Sequence, residues 1–381
     1  MSAVSVAPEV NAQPNGEVDD TSVEVEQEDS RERITHPFDP EKIKIRTVNI
    51  VVEQLVSRIR YEEIDLSPDF QRLRGIWREE RKSRLIESLL LRIPIPLFYV
   101  AADKSETWSV VDGIQRMSTI YDYVAGKFAL TQLEYLTWLD GRRHDDLPRP
   151  MQRRISETQL VVNIIEPGTP AEVMFNIFLR INTGGMTLNG QEIRHAVHPG
   201  TARSYLKELA DSSEFRNATA GSVNPMRMAD RECVLRFLAF HIEPWEQYST
   251  NNLDGYLGSI MVYISNMNSQ ELDLLTADFN KAMRAALEIF AEDAFRKPRG
   301  PTGRRRPTNR ALFETWSVQL ARCSQDQINR LVKRRKDVRR LFVRLMAEDD
   351  EFDRAVSYST GAPRRVRKRF RAVQQLVEEL A

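Results

Sequence analysis

The stretch Trp108-Ser109-Val110-Val111-Asp112-Gly113-Ile114-Gln115-Arg116-Met117-Ser118-Thr119-Ile120 most narrows what this chain can fold into. It opens as a short apolar run of β-formers and breaks at Asp112-Gly113. Ile114, Met117, Ile120, Tyr121 and Val124 then recur at helical spacing. The pattern predicts a strand, a tight glycine turn and the first turn of a helix. Unpaired amides at a helix start and the helix dipole favour an anion there, and Gly113 lets it come close. Arg116 adds a planar, permanently charged fork suited to phosphate, and Gln115 both donates and accepts. Asp112 stands where it could meet a cation or a hydroxyl. An equally available reading is that Asp112 caps the helix and Arg116 makes a surface ion pair.

The flanking pattern predicts the rest of an α+β unit. Residues 43–48 alternate like a strand, and Val52, Leu55, Val56 and Ile59 mark a short amphipathic helix. Ile64 and Leu66 lie in a further extended piece that runs into Ser67-Pro68-Asp69-Phe70-Gln71-Arg72. A helix is expected over 79–91, stopped by Ile93-Pro94-Ile95-Pro96. Residues 97–100 and 108–111 form a hairpin around Asp103-Lys104, which delivers the glycine turn. A basic amphipathic helix surrounds 150–155, and 160–165 is the strand richest in β-branched residues. A helix is expected from Pro170 to Leu179, ending in Arg180-Ile181-Asn182-Thr183-Gly184-Gly185. The helix 188–197 follows, with Asn189 as its cap and Glu192 completing a capping-box-like start.

With 381 residues and 41% hydrophobic content, the chain is long enough for two domains. The expected division is an acidic, disordered tail (1–40), an α+β domain (41–200) and a helical domain (201–381). The 55 basic and 55 acidic side chains cancel, so net charge selects no partner. Their distribution is uneven: the tail is acidic, and arginines crowd toward the C-terminus. Basic runs at 304–306, 333–336 and 364–371 are candidates for phosphate contacts; the first lies in a loop, 298–307, expected to be flexible. Two cysteines make neither a disulfide framework nor a metal site, and no long apolar segment or secretory leader is evident, so a cytoplasmic, non-membrane protein is expected. His195 and His198 have a helical metal-ligand spacing but no third ligand, which favours a structural role. Walker, nucleophile-elbow and zincin motifs are absent.

Taken in order, Pro68-Asp69-Phe70-Gln71-Arg72 with Trp77, Ile93-Pro94-Ile95-Pro96, Asp112-Gly113-Ile114-Gln115-Arg116, and Phe178 to Gly185 with Leu188 and Glu192 resemble one family. It is the N-terminal domain of GmrSD-type modification-dependent restriction proteins, which also occurs in phosphorothioate-sensing SspE proteins. The likeness spans about residues 43–197 and continues into an arginine-rich helix at 231–240. It implies a ParB/sulfiredoxin-like α+β fold whose Asp-Gly-Gln-Gln-Arg motif binds nucleotide or phosphate and supports NTP hydrolysis. Ile114 replaces the first glutamine of that motif, a departure that bears on hydrolysis more than on phosphate binding. Residues beyond 200 show no equivalent of the family's HNH nuclease domain, so cleavage would fall to a separate nuclease subunit.

The resulting expectation is an NTP-binding, and by family NTP-hydrolysing, sensor or regulatory subunit of a bacterial DNA-defence system. Arg116, Gly113 and Arg72 would hold phosphates, joined by Arg180, Asn182 and Gly184. Asp112 would position Mg²⁺ or a water, and Gln71 or Gln115 would orient the attacking water. The rival is a non-catalytic ParB-like module that uses the same pocket for DNA phosphate. A third reading is a degenerate scaffold whose glutamine–arginine pairs only stabilise the fold.

Overall fold

The structure, a computed structural model, describes residues 23–24, 44–66, 77–103, 105–169, 173–174, 177, 189–198 and 200–381. β1 (Ile45–Val51) runs directly into α1 (Val52–Arg60), whose buried face is Val52, Leu55, Val56 and Ile59. A short β2 (Ile64–Asp65) precedes α2 (Glu79–Leu90). The hairpin of β3 (Phe98–Ala102) and β4 (Trp108–Asp112) leads into α3 (Ile114–Val124). α4 (Arg149–Ser156), β5 (Gln159–Ile165) and α5 (Gly190–Val197) complete the α+β region. The expected strands and helices of this region that fall on described residues are present, with ends shifted by a few positions. Of the expected helix 170–179, only residues 173, 174 and 177 are described, and they are helical.

The five strands form one mixed sheet in the order β1-β5-β3-β4-β2. β1 pairs antiparallel with β5 and β3 antiparallel with β4, whereas β5–β3 and β4–β2 are parallel. Strand alternation sorts the apolar residues onto two faces. Phe98, Val100, Val110, Val162 and Ile164 pack with α1, α2 and α3 in one core. Ala101, Val111 and Ile165 turn the other way and meet Ile193, Ala196 and Val197 of α5. Each fully buried Val, Ile or Phe among these contributes about 1.5–3 kcal/mol.

α2 also carries a polar clamp. Glu87, buried in the fold, accepts the backbone amides of Glu134, Tyr135 and Leu136 at 3.1, 2.8 and 2.7 Å. Burial pushes its carboxyl up, but those three amides and Arg84 leave it below the usual range.

Beyond residue 200 the regular elements are helical among the described residues, with a core of its own running from Ala202 to Leu380. Its centre is built from the helices Ala229–Ile242, Ser269–Phe290, Arg310–Arg322 and Pro363–Leu380. Residues 311–321 are all buried, so that helix is apolar or internally paired on every side. The two regions meet at α5. Asn189 caps it with the expected box, accepting the Glu192 amide at 2.9 Å while Glu192 Oε2 accepts the Asn189 amide at 2.7 Å. Arg227 from the helical region donates to the same Glu192, and Arg203 bridges to Asp65 of β2 at 2.8 Å.

One stretch of the acidic tail is packed rather than free. Val23 forms a parallel bridge with Thr308, and Val23 lies against the helical core. No helix among the described residues is long and apolar enough to cross a membrane.

Candidate phosphate site at the β4–α3 turn

β3 and β4 keep register at Val100–Val110 but pair Tyr99 with Asp112, so β4 holds one extra residue just before the turn. Such a bulge bends the strand and re-aims the side chains that follow. Gly113 then takes φ +98°, a conformation that suits glycine, and caps α3 without any side-chain bond. A Cβ at Gly113 would stand 2.4 Å from Phe98 Cδ1 and 3.2 Å from Arg116 Nη2. The backbone is therefore brought close both to the ring beneath and to the guanidinium beside it. The amides of Ile114, Gln115 and Arg116, at the first three helical positions, have no partner inside the helix.

Arg116 is turned inward. Its Nη2 donates to Asp112 Oδ2 at 2.7 Å, and its Nη1 donates to the carbonyls of Pro96 and Leu97. The guanidinium also stacks 4.7 Å from the centre of the Phe98 ring. Burial lowers the Arg116 pKa, and the Asp112 carboxylate opposes that shift. Asp112 does not cap the helix: it pairs with the arginine one turn on, its side chain 35% exposed against 12% for Arg116. Its second oxygen has no partner among the described residues. Gln115 points a buried Oε1 that likewise lacks a partner there.

Asp112, Gly113, Gln115 and Arg116 thus gather within one turn, as the spacing requires. Gln71, Arg72, Arg180, Asn182 and Gly184 lie outside the described residues. Sequence reasoning missed the support beneath the turn, Phe98 and the carbonyls of Pro96 and Leu97. The prolines of Ile93-Pro94-Ile95-Pro96 were the available signal: prolines have no N–H with which to join a ladder, and neighbouring carbonyls are left for a side-chain donor.

Other candidates separate from the site. Arg369, within the basic run 364–371, is fully buried and paired with Glu314, so it is unavailable to a phosphate. Arg236 and Arg231 of the arginine-rich helix are buried as well. His198 is packed near Gly258, and burial, with Arg194 and Arg203 nearby, pushes its pKa down to about 4. Among the described residues, no group of three or more His, Cys, Asp or Glu is arranged to hold a metal ion.

A mixed sheet that presents an Asp-Gly turn and a helix start without a side-chain cap defines an α+β domain. Residues 52–199 match the family model described as the GmrSD restriction endonuclease, N-terminal domain. No curated protein and no solved structure matches the chain. The family ties the region to restriction systems.

Proposed function

We propose that this protein is an NTP-binding sensor or regulatory subunit of a bacterial, modification-dependent DNA-restriction system. The observation that carries the reading is the uncapped α3 start behind Gly113, inside a domain of the GmrSD N-terminal family. A nucleotide phosphate lies against the amides of residues 114–116, where the backbone is unshielded by any Cβ at Gly113. Arg116 holds the turn in shape through Asp112, Pro96 and Leu97 and adds positive potential beneath the phosphate. Gln115 Oε1, buried and without a partner among the described residues, would accept from a water or a ribose hydroxyl admitted to the turn. By family likeness, Gln71, Arg72, Arg180, Asn182 and Gly184 complete the pocket.

Mg²⁺ is commonly held by one or two carboxylates together with substrate phosphates. The unpartnered oxygen of Asp112 fits that limited protein contribution. Once bound with the nucleotide, the ion would neutralise phosphate charge. Hydrolysis is the further step of this reading, with Gln71 or Gln115 orienting water.

The alternative is a ParB-like module that takes DNA phosphate in the same pocket without turnover. The single carboxylate found at the turn among the described residues favours it.

Nucleotide binding by calorimetry and phosphate release, each with and without modified DNA, separate the two. Arg116→Ala is expected to weaken nucleotide binding about tenfold or more, the scale of one lost charge-assisted contact. Gln115→Ala, which leaves the turn's support intact, should reduce phosphate release more than binding. Undiminished nucleotide and DNA binding by a folded Arg116→Ala protein would remove the site. Wild-type protein with Mg²⁺ and DNA that releases phosphate no faster than Arg116→Ala would remove hydrolysis, and a wild type that also binds no nucleotide would leave only the DNA-binding reading.

A further inference from the structure

The second place where charge and geometry converge lies on the helical region, away from the β4–α3 turn. Residues 296–310 contain seven basic side chains and no acidic one, and residues 17–29 contain seven acidic side chains and no basic one. The two segments touch at a single described point. The Glu24 amide donates to Thr308 O at 2.9 Å, extending the Val23–Thr308 bridge. Glu24 Oε1 meets Lys297 Nζ at 2.6 Å, and Oε2 accepts from Asn309 Nδ2 at 3.0 Å.

This receiving site is built into the helical core. Asn309 is 2% exposed, caps the helix Arg310–Arg322 through the Leu312 amide, and also donates to Val356 O. Lys297 has 11% of its side chain exposed and is steadied by Ser357 Oγ at 2.8 Å. A cavity of about 530 Å³ adjoins the carboxylate, lined by Glu24, Lys297, Arg299, Arg306, Asp353 and Ser357. Arg299 and Arg305 are partly compensated by Asp293 and Glu292, whereas Arg306, which lines the cavity, and Arg304, two residues before it in the same loop, stand exposed.

We propose that Val23-Glu24 is a latch seated in a polyanion-binding surface made by the 296–310 loop, and that a nucleic-acid backbone competes with it there. The Glu24 carboxylate occupies the position of one backbone phosphate, received by an ammonium and a carboxamide, both phosphate donors. The exposed Arg304 and Arg306 add sites for further phosphates of the same strand, a spacing one carboxylate cannot satisfy. A dinucleotide-length anion fills only the latch position; a duplex also engages those arginines, which is why it displaces the latch. The surface does not use the β4–α3 turn, so it stands or falls separately from nucleotide binding.

The test uses the full chain and a plain DNA duplex of about 20 base pairs, long enough to span several phosphates. Anisotropy measures affinity, and hydrogen exchange reads the protection of the Glu24 amide, which bonds Thr308 O. Duplex should speed exchange at Glu24. The Val23→Ser/Glu24→Gln double variant should bind duplex about five- to tenfold tighter, the release of roughly one partly buried ion pair. Arg304→Glu/Arg306→Glu, at exposed positions that do not disturb the core, should bind about tenfold or more weaker with a shallower salt dependence. Arg116→Ala should leave the exchange response intact. Duplex that binds while Glu24 stays protected overturns the proposal, as does a latch variant with unchanged affinity. Displacement by polyglutamate but not by duplex overturns it too, assigning the surface to an acidic protein partner.

Discussion

Two arginine–carboxylate pairs sit in the two halves of this protein and do opposite things. Arg116 pairs with Asp112 one helical turn away, at the mouth of the β4–α3 turn, with Asp112 about a third exposed. Arg369 pairs with Glu314 across two helices, both side chains fully buried, and Arg236 approaches the same Glu314 at 3.6 Å. In the helical half the charges close on one another: Glu232 binds Arg236 and Arg310, and although burial pushes its carboxyl up, the guanidiniums of Arg236, Arg310 and Arg194 hold it down at about 2. At the turn, by contrast, a carboxylate oxygen and the Gln115 Oε1 are left without partners among the described residues. The same residue types therefore close on one another in one place and leave acceptor oxygens unpaired at a partly exposed turn in the other. Burial, not charge, tells them apart.

The comparison is tested hardest by Glu314→Gln. It keeps the side-chain shape but leaves Arg369 and a second guanidinium inside the core without their anion. The expected cost is about 3–5 kcal/mol, read as a fall in urea midpoint with an unchanged slope. A loss no larger than that of a surface pair would show that the buried network is not what holds the helical half together.

Gly113→Ala comes next. The new methyl would need φ +98° and would meet the fully buried Phe98 ring at 2.4 Å. Backbone strain and overpacking together should cost about 2–4 kcal/mol. Adding Phe98→Leu should relieve the contact without relieving the backbone strain, so a double-mutant cycle separates the two. Full recovery would mean that the left-handed turn itself costs alanine little.

How much of this was readable beforehand follows from the same contrast. Strand alternation and helical spacing mark the elements of the α+β region where one face carries most of the burial, as in α1. Asn189 and Glu192 were legible as a cap because capping is local. Arg369 was not legible as a core residue, since its partner Glu314 is remote in sequence and the basic run around it looks solvated. The inward turn of Arg116 had only the prolines of 93–96 as its signal, because its acceptors at Pro96 and Leu97 arrive through tertiary packing. Val23-Glu24 escaped notice for a further reason: a stretch of acidic residues has no periodicity, and its docking depends on a lysine and an asparagine far along the chain.

The seam between the halves has its own signature in acid. His198, at the end of α5, is held near pKa 4 by burial and by Arg194 and Arg203, against about 6.5 when unfolded. Between those values the unfolded chain binds more protons, so stability rises with pH and is lost on acidification from about pH 6.5 toward 4. His198→Asn should flatten that part of the stability curve, followed by thermal melts across the window. An unchanged curve would place the titrating group elsewhere.

The smallest effect on stability is expected where the comparison began. Asp112→Asn applies to the turn the isosteric swap that Glu314→Gln applies to the core. The Asp112–Arg116 pair is partly exposed, and Arg116 keeps its carbonyl acceptors at Pro96 and Leu97 and its stacking on Phe98. Water and those remaining contacts compensate the lost charge, so the cost should stay below about 1 kcal/mol in urea titrations. Nucleotide affinity measured with and without Mg²⁺ supplies the other half of the test. If Asp112 serves the ion, Asp112→Asn should abolish the gain in affinity that Mg²⁺ gives wild type. If it serves only Arg116, the Mg²⁺ effect should survive intact. A stability loss comparable to that of Glu314→Gln would mean that the turn, too, is scaffold, and that the difference between the two halves is one of exposure without consequence for binding.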